Sequence, residues 1–301
     1  MRVKMRALFL LILGISLALS ACATAAIPVD SAPLRILLTN DDGVDAPGIK
    51  TLRVALLEAG HDVTVVAPAE NQSGEGAKVT SSGALNYELQ SPGVWSVEGT
   101  PADAVLVGLL HVMRDQAPDL VVSGANFGQN PGYAINSGTV GAATVAMYAG
   151  TPAIAISVGV NYAELNDKPY PFPSTFSAFA GAADLAVGLI SDLQQARAEG
   201  DGLLPGHTIL NVNYPALGPE EIKGVRVVRA ARSAGVSIDY SETSEAGQLK
   251  IDIQASDAGA QNADLQLFSQ GYVTITVLDG DWDAGAPLRD DIAKRLTLFE
   301  Q

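Results

Sequence analysis

The residues best suited to chemistry lie in three polar loops, at residues 40–45, 71–74 and 124–130. Each loop follows an apolar run with the length of a buried strand. Because ligands bind beyond the carboxyl ends of the strands in an open parallel sheet, the three loops are predicted to meet at one edge. They would bring together two aspartates, a serine and an asparagine: Asp41, Asp42, Ser73 and Asn126.

These four side chains would form a metal site made only of oxygen atoms. Carboxylate, hydroxyl and amide oxygens suit hard cations, so the expected cofactor is Mg²⁺ or Mn²⁺, with Ca²⁺ also compatible and Zn²⁺ disfavoured. The three histidines, His61, His111 and His207, are far apart and lack the spacing of a zinc site. Singly, each of the four is an ordinary turn or loop residue. The metal interpretation depends on three such loops following three consecutive core strands.

A fourth polar segment, residues 136–139, opens a predicted helix. The free N–H groups at a helix start bind phosphate well, and two hydroxyl groups, of Ser137 and Thr139, flank Gly138 here. The simpler interpretation is an ordinary helix cap, because Ser-Gly-Thr starts many helices.

Hydrophobic periodicity predicts the elements that would position these residues. Short apolar runs indicate strands at 34–39, 61–67, 120–123 and 153–157, and helical spacing indicates helices at 49–59, 100–114, 138–149 and 174–198. Thr100 followed by Pro101 is the expected N-cap of the second of these helices. Strand, helix and strand in this order imply parallel pairing with right-handed crossovers. The predicted fold is α/β, a Rossmann-like, doubly wound and mostly parallel sheet. A β-rich C-terminal elaboration follows, with a projecting hairpin at 236–240 and 249–253.

The N-terminus is predicted to be a signal for secretion. Arg2, Lys4 and Arg6 precede an apolar run, which Leu-Ser-Ala-Cys22 ends. That ending matches a bacterial lipobox, so Cys22 is predicted to carry lipid and to hold a periplasmic or cell-surface lipoprotein on its membrane. An ordinary cleaved signal with a chance cysteine is the alternative. The predicted organisation is a lipoprotein signal peptide at 1–21, a linker at 22–33 and one phosphatase domain at 34–301.

The charge of the chain argues against nucleic-acid polymers as partners. The 301 residues carry a formal charge of −15, and removing residues 1–21 with their three cations leaves −18. Such a surface repels polyanions. It would also repel a small phosphate ester, so a phosphatase with this charge would need a cation in its site.

Several motifs, in order along the chain, resemble those of the SurE family of survival nucleotidases. They include Asn-Asp-Asp-Gly-Val at 40–44, Ala-Pro-Gly-Ile at 46–49 and Asn-Gln-Ser-Gly at 71–74. Further matching segments are 35–39, 65–68, 99–103, 118–126, 137–143 and 271–276. The resemblance extends from Leu34 to about Leu278 and is specific as a set.

The resemblance implies a metal-dependent phosphomonoesterase that hydrolyses nucleoside monophosphates, a 5′/3′-nucleotidase. It implies a homodimer or larger assembly in which the hairpin is exchanged between subunits. Carried over by motif, the metal ligands are Asp41, Asp42, Ser73 and Asn126, and both aspartates are catalytic. The phosphate-binding residues are Asn130, Ser137, Gly138 and Thr139.

The chain also departs from the family pattern. Asp45 replaces the usual histidine after Asp-Asp-Gly-Val, and the usually basic loop before Ser73 contains Glu70 and Gln72. The N-terminal signal and lipobox are absent from the usual cytosolic members. The substrate is a small phosphomonoester under this interpretation, but its identity stays open.

Two other functions remain compatible with parts of the sequence. Residues 60–68 resemble the start of a nucleotide-sugar glycosyltransferase, although that activity requires a second Rossmann domain. A non-enzymatic lipoprotein that binds a phosphorylated solute would use the same helix start, but it has no need of Asp41 and Asp42.

Overall fold

The computed structural model describes residues 32–132, 135–197, 202–233, 235–255, 261–281 and 285–295. The predicted signal peptide, Cys22 and the linker up to residue 31 lie outside the described residues.

The apolar runs of the first 160 residues form the centre of a nine-stranded sheet with the order β3-β4-β2-β1-β5-β6-β7-β11-β8. A separate two-stranded sheet pairs β9 with β10. The strands are β1 (Arg35–Thr39), β2 (Asp62–Pro68), β3 (Tyr87–Ser91), β4 (Val94–Val97), β5 (Leu120–Phe127), β6 (Ala153–Val158), β7 (Ile209–Tyr214), β8 (Val225–Val228), β9 (Val236–Glu242), β10 (Leu249–Ala255) and β11 (Val273–Leu278).

The strand order reverses between β1 and β5. From β1 the chain moves outward to β2, β3 and β4, and then it returns to place β5 on the other side of β1. The central strands β4, β2, β1, β5, β6 and β7 are parallel to one another, whereas β3 runs antiparallel to β4 and β11 runs antiparallel to β7. A reversal of this kind opens a crevice at the carboxyl ends of the two strands. This confirms the predicted doubly wound, mostly parallel α/β fold.

Helices cover both faces of the sheet. The α-helices are α1 (Pro47–Glu58), α2 (Pro101–Val107), α3 (Gly138–Tyr148), α4 (Pro173–Ala196), α5 (Asp264–Ser269) and α6 (Ala286–Arg295). Helices α1 and α4 pack on one face, where Ile49, Leu52 and Leu56 are buried at helical spacing. Helices α2 and α3 pack on the other face. Among the described helices, only α4 is long and apolar enough to cross a membrane by composition, but its alanine-rich face is buried against this core.

The first turn of α1 lies directly on the backbone of β5. A Cβ atom on Gly48 would be 2.0 Å from the carbonyl oxygen of Ala125, so only glycine allows this approach. The Ala-Pro-Gly-Ile motif therefore brings the segment that follows Asp42 close to the end of β5.

Two predicted boundaries are wrong. Strand β5 was expected to end at Ser123, but it continues to Phe127 because its pairing with β6 resumes after a register shift, with Asn126 opposite Ser157. Asn126 therefore lies in a strand and not in the loop beyond it. Helix α2 ends at Val107 instead of near Arg114, and a π-type turn over Gly108–Val112 follows it.

The C-terminal part contains the predicted hairpin. Strands β9 and β10 are antiparallel, with Tyr240 opposite Ile251 and Glu242 opposite Leu249. Because side chains alternate between the two faces of a strand, Ile238, Tyr240, Leu249 and Ile251 lie on the same face of the hairpin. All four side chains are exposed. The hairpin thus presents an apolar face to its surroundings.

Candidate active site

Asp41 follows the carboxyl end of β1 and is 2% exposed. Its Oδ1 accepts a hydrogen bond of 2.8 Å from the hydroxyl of Thr139 in the first turn of α3. A Cβ atom on Gly138 would lie 2.7 Å from both Cβ and Oδ2 of Asp41, so the start of α3 packs directly on this carboxylate. The predicted phosphate-binding helix start and the predicted metal ligand are therefore adjacent.

Asp42 is anchored to the neighbouring strand. Its Oδ2 accepts a hydrogen bond of 2.7 Å from the backbone N–H of Phe127, the last residue of β5. Its Oδ1 accepts a longer contact of 3.4 Å from Asn71 Nδ2. The extension of β5 beyond Ser123 is what places this N–H donor opposite Asp42.

Burial disfavours negative charge on both aspartates. It raises the pKa of Asp41 above its ordinary value, against the opposing effect of hydrogen bonds from Thr139 and Gly138. For Asp42, burial and the neighbouring charge of Asp41 outweigh the Phe127 hydrogen bond and raise the pKa to about 6. No ion pair joins either carboxylate to a lysine, arginine or histidine within the described ranges.

The loop that carries Ser73 is held beside Asp41 by its backbone. The N–H of Gln72 donates to the carbonyl oxygen of Asp41 at 2.7 Å, and the N–H of Ser73 donates to Asn71 Oδ1 at 3.0 Å. Ser73 itself is exposed. These bonds present the serine at the rim of the crevice, next to the aspartates.

A cleft of about 440 Å³ opens at this edge of the sheet. Five of the eight predicted site residues line it: Asp41, Ser73, Asn126, Asn130 and Ser137. The other three, Asp42, Gly138 and Thr139, are not part of the lining. The cleft also includes Phe127, Gln129, Tyr162, Gly235 and Leu265, which the sequence did not indicate.

Both hydroxyl groups at the start of α3 already have partners within the chain. Ser137 Oγ accepts a hydrogen bond from the N–H of Val140 and caps the helix, while the Thr139 hydroxyl donates to Asp41. Thr139 is completely buried. Its side chain therefore positions Asp41, to which the backbone N–H groups of Gly138 and Thr139 also donate. Of Ser137, Gly138 and Thr139, only Ser137 lines the cleft.

Asn126 and Asn130 are oriented by neighbouring polar groups. Asn126 Nδ2 donates to the carbonyl oxygen of Gly128 at 2.7 Å, which uses its amide nitrogen and leaves its carbonyl oxygen as the available ligand atom. Asn130 Nδ2 donates to Ser157 Oγ at 2.9 Å, and its backbone N–H donates to Asn213 Oδ1 at 2.6 Å. The ends of β6 and β7 thus hold the Asn130 segment in place.

Asp264 is a positioning residue that the sequence analysis missed. It is completely buried at the start of α5, and its carboxylate accepts hydrogen bonds of 2.7, 2.8 and 2.7 Å from the N–H groups of Gly132, Ala231 and Leu265. The bonds join two segments of the cleft wall to α5. No sequence signal distinguishes Asp264 from an ordinary acidic residue in the first turn of a helix.

The residues at the cleft fit a hard divalent cation. Asp41 is buried and Asp42 half-buried, and two adjacent carboxylates without a cationic partner are costly to keep charged in such surroundings unless a positive charge compensates them. Carboxylate, hydroxyl and amide oxygens surround the same space. Among the described residues, no group of three or more His, Cys, Asp or Glu side chains could hold a metal, so a cation here would depend on Ser73 and Asn126 as well as on the aspartates.

Comparisons with known proteins give one consistent result. The family model described as survival protein SurE matches residues 36–236. A protein of Pseudoalteromonas atlantica named 5′-nucleotidase SurE is 36% identical over 262 residues, covering 85% of this chain and 97% of that protein. A protein of the same name from Nitratidesulfovibrio vulgaris is 37% identical over 254 residues, covering 82% and 87%.

The crystal structure of the SurE protein from Aquifex aeolicus has a similar fold. It superposes with a TM-score of 0.71 at 31% sequence identity, covering 87% of this chain and 99% of that one. The matched region contains the switch point, the aspartate pair and the start of α3. The chain belongs to the SurE family.

Proposed function

We propose that this protein is a divalent-metal-dependent phosphomonoesterase that hydrolyses nucleoside monophosphates. The observation that supports this most strongly is the adjacent pair of carboxylates Asp41 and Asp42. Asp41 is buried against the N-terminus of α3, Asp42 is half-buried against the end of β5, and neither forms an ion pair with a cationic side chain of the described residues. The relatives that carry the name 5′-nucleotidase SurE support the same activity.

In this proposal Asp41, Asp42, Ser73 and Asn126 hold Mg²⁺ or Mn²⁺. When bound there, the cation would lower the pKa of water and neutralise charge on the phosphate oxygens. Thr139 holds Asp41 in the orientation that faces the cleft, and the N–H of Phe127 fixes Asp42. Ser137 and Asn130, which line the cleft, would contact the phosphate group.

The two aspartates have different surroundings and therefore different roles. Asp41 lines the cleft and is the principal metal ligand. Asp42 is a second ligand of the cation, and its carboxylate is held by the backbone N–H of Phe127 at 2.7 Å.

The phosphatase proposal is tested by phosphate release from adenosine 5′-monophosphate. Protein stripped with a chelator is expected to be inactive and to recover activity with Mg²⁺ or Mn²⁺. A protein that binds the ester but does not hydrolyse it, with or without added metal, would instead be a solute-binding lipoprotein. Full activity in excess chelator would reject the metal.

We also propose that Cys22 carries lipid and holds the mature protein on a membrane at the periplasmic side or the cell exterior. The support is the Leu-Ser-Ala-Cys sequence after a basic and apolar segment. Intact-mass analysis of protein from cells should show a diacylated or triacylated Cys22 as the first residue. An unmodified Cys22, or a mature start beyond it, would reject the anchor.

A homodimer or larger assembly is the third part of the proposal. The hairpin β9–β10 exposes Ile238, Tyr240, Leu249 and Ile251 on one face, and burial of such a face is the usual driving force for association. Light scattering should show a dimer or more for the intact mature chain and monomers after deletion of 236–255. A monomeric intact chain would contradict this part.

A further inference from the structure

The cleft extends well beyond the aspartates. Tyr162 lines the same cleft as Asp41, although it follows a different strand, β6. Its side chain is 71% exposed, and no other aromatic ring of the described residues packs on it. An exposed ring that lines a polar cleft is a surface available to a ligand.

The strand order sets the distance between the two ends of the cleft. Strands β1, β5 and β6 are consecutive in the sheet, and neighbouring strands are about 4.8 Å apart, so the ends of β1 and β6 are roughly 10 Å apart. Asp41 follows the first of these strands and Tyr162 follows the third. A nucleoside monophosphate spans such a distance between its phosphorus atom and its base.

The backbone that presents Tyr162 is held by local hydrogen bonds. Tyr162 begins a short 3₁₀ turn, which Asn161 caps by accepting from the N–H of Ala163 at 3.2 Å. Glu164 Oε1 accepts from Asn161 Nδ2, and its Oε2 accepts from the N–H and hydroxyl of Ser174 in α4, at 2.9 to 3.0 Å. The backbone that carries the ring is therefore fixed beside the cleft by bonds within the chain.

The surroundings of Tyr162 suit a flat, polar ring. Gln129 lines the cleft and accepts a hydrogen bond from the N–H of Val160 at 3.0 Å, which fixes its amide group near the tyrosine. Leu265 and Gly235 provide apolar and backbone surface in the same cleft. The part of the cleft near Asp41 is instead lined by Ser73, Asn126 and Ser137.

We propose that Tyr162 is the stacking surface for the nucleobase of the substrate. The proposal rests on the proposed nucleotidase function and specifies how a nucleoside monophosphate is distinguished from a simple sugar phosphate. Stacking of a base on an aromatic side chain is sequence-tolerant, so Tyr162 would favour nucleotides as a class. Gln129 would donate its amide N–H to the edge of the base.

The test compares KM for adenosine 5′-monophosphate and for ribose 5-phosphate, which lacks the base, in the metal-loaded protein. The wild type is expected to prefer the nucleotide. Tyr162→Ala should lower the ratio of the two KM values, ribose ester over nucleotide, by about tenfold, and Tyr162→Phe should restore most of it. Tyr170→Ala is the matched control, because Tyr170 is 75% exposed and does not line the cleft.

Two outcomes would overturn the inference without touching the proposed function. In one, Tyr162→Ala leaves the KM values for both esters unchanged. In the other, it raises both KM values by the same factor. If the wild type hydrolyses neither ester, the proposed function fails, and titration calorimetry with adenosine 5′-monophosphate and Mg²⁺ decides the binding question. Weaker binding by Tyr162→Ala than by Tyr162→Phe would support the stacking surface, and equal binding would reject it.

Discussion

Adjacent residues with the same side chain have different environments in this site. Asp41 is fixed by a hydroxyl of α3, and Asp42 is fixed by a backbone N–H of β5. The sequence predicted that both would meet Ser73 and Asn126, because parallel strands end at one edge. It could not predict the partners of each carboxylate, because these depend on a side-chain rotamer of Thr139 and on the extra length of β5.

The hydroxyl of Thr139 is expected to support metal binding through Asp41. Replacing it with valine removes a hydrogen bond to a buried carboxylate while it keeps the shape of the side chain. Thr139→Val should raise the Mn²⁺ concentration needed for half-maximal activity by about 10- to 100-fold, which is the usual effect of losing the hydrogen-bond partner of a metal ligand. Thr139→Ser should remain near the wild type. Identical Mn²⁺ activation curves for all three proteins would show that this bond is unimportant.

At the scale of the secondary-structure elements, α2 anchors the segment that carries Ser73. Thr100 and Asp103 form a capping box, as the Thr-Pro start predicted for Thr100. The Asp103 carboxylate also accepts hydrogen bonds of 2.8 Å from the N–H and the hydroxyl of Thr80. The sequence predicted the cap because it is local, but not Thr80, which is 23 residues away in the chain.

Asp103 is expected to make the free energy of unfolding depend on pH in the acidic range. Burial raises its pKa, but the hydrogen bonds from Thr100 and Thr80 outweigh this and hold the pKa below the ordinary value. A lowered folded-state pKa gives stability that is present above the unfolded pKa of about 3.9 and is lost as pH falls through the folded pKa.

Asp103→Asn should therefore unfold more easily than the wild type at pH 7, by about 1–3 kcal/mol in denaturant titrations. The difference should shrink below about pH 4. Asp115→Asn, at an exposed position, is the control and should match the wild type. A wild-type advantage that stays constant down to pH 2.5, or that grows in acid, would contradict this interpretation of the pKa.

Asp264 is expected to position the wall of the cleft opposite the metal end. Three backbone N–H groups donate to the Asp264 carboxylate. Asp264→Asn replaces one of its two acceptor oxygens with an NH₂ group, which cannot accept from an N–H. We expect a loss of stability of about 1–3 kcal/mol and a severalfold rise in KM for the nucleotide. The Mn²⁺ activation constant should not change, because Asp41 and Asp42 lie on other elements. Kinetics equal to those of an Asp167→Asn control would show that the three bonds do not shape the cleft.

At the scale of the whole molecule, the formal charge of −15 opposes the binding of a dianionic substrate. No lysine or arginine is among the described residues that line the cleft. The doubly wound α/β class, the parallel pairing of the core strands and the hairpin were predicted from the periodicity of the sequence. The shape of the cleft did not, because it depends on how segments after β5, β6 and β8 pack together.

The repulsion should be visible in the salt dependence of catalysis. Raising the ionic strength from about 0.01 M to 0.15 M shortens the screening length from about 30 to 8 Å, so KM should fall. Gln72→Arg adds a cation where the backbone touches Asp41, and it should lower KM by about two- to fivefold, or 0.5–1 kcal/mol. Gln195→Arg, at an exposed position near the end of α4, adds the same charge elsewhere. Equal effects of the two substitutions would remove the 71–74 loop from the substrate site.

The most direct test of the central claim is phosphate release by Asp41→Asn and Asp42→Asn across a Mn²⁺ titration. Each variant loses one charge from the proposed cation site, while circular dichroism should show a folded protein. We predict that both lose about 100-fold or more in kcat/KM for adenosine 5′-monophosphate, even at saturating metal. Near-normal turnover by both variants at saturating Mn²⁺ would contradict the claim that this carboxylate pair is the catalytic metal site.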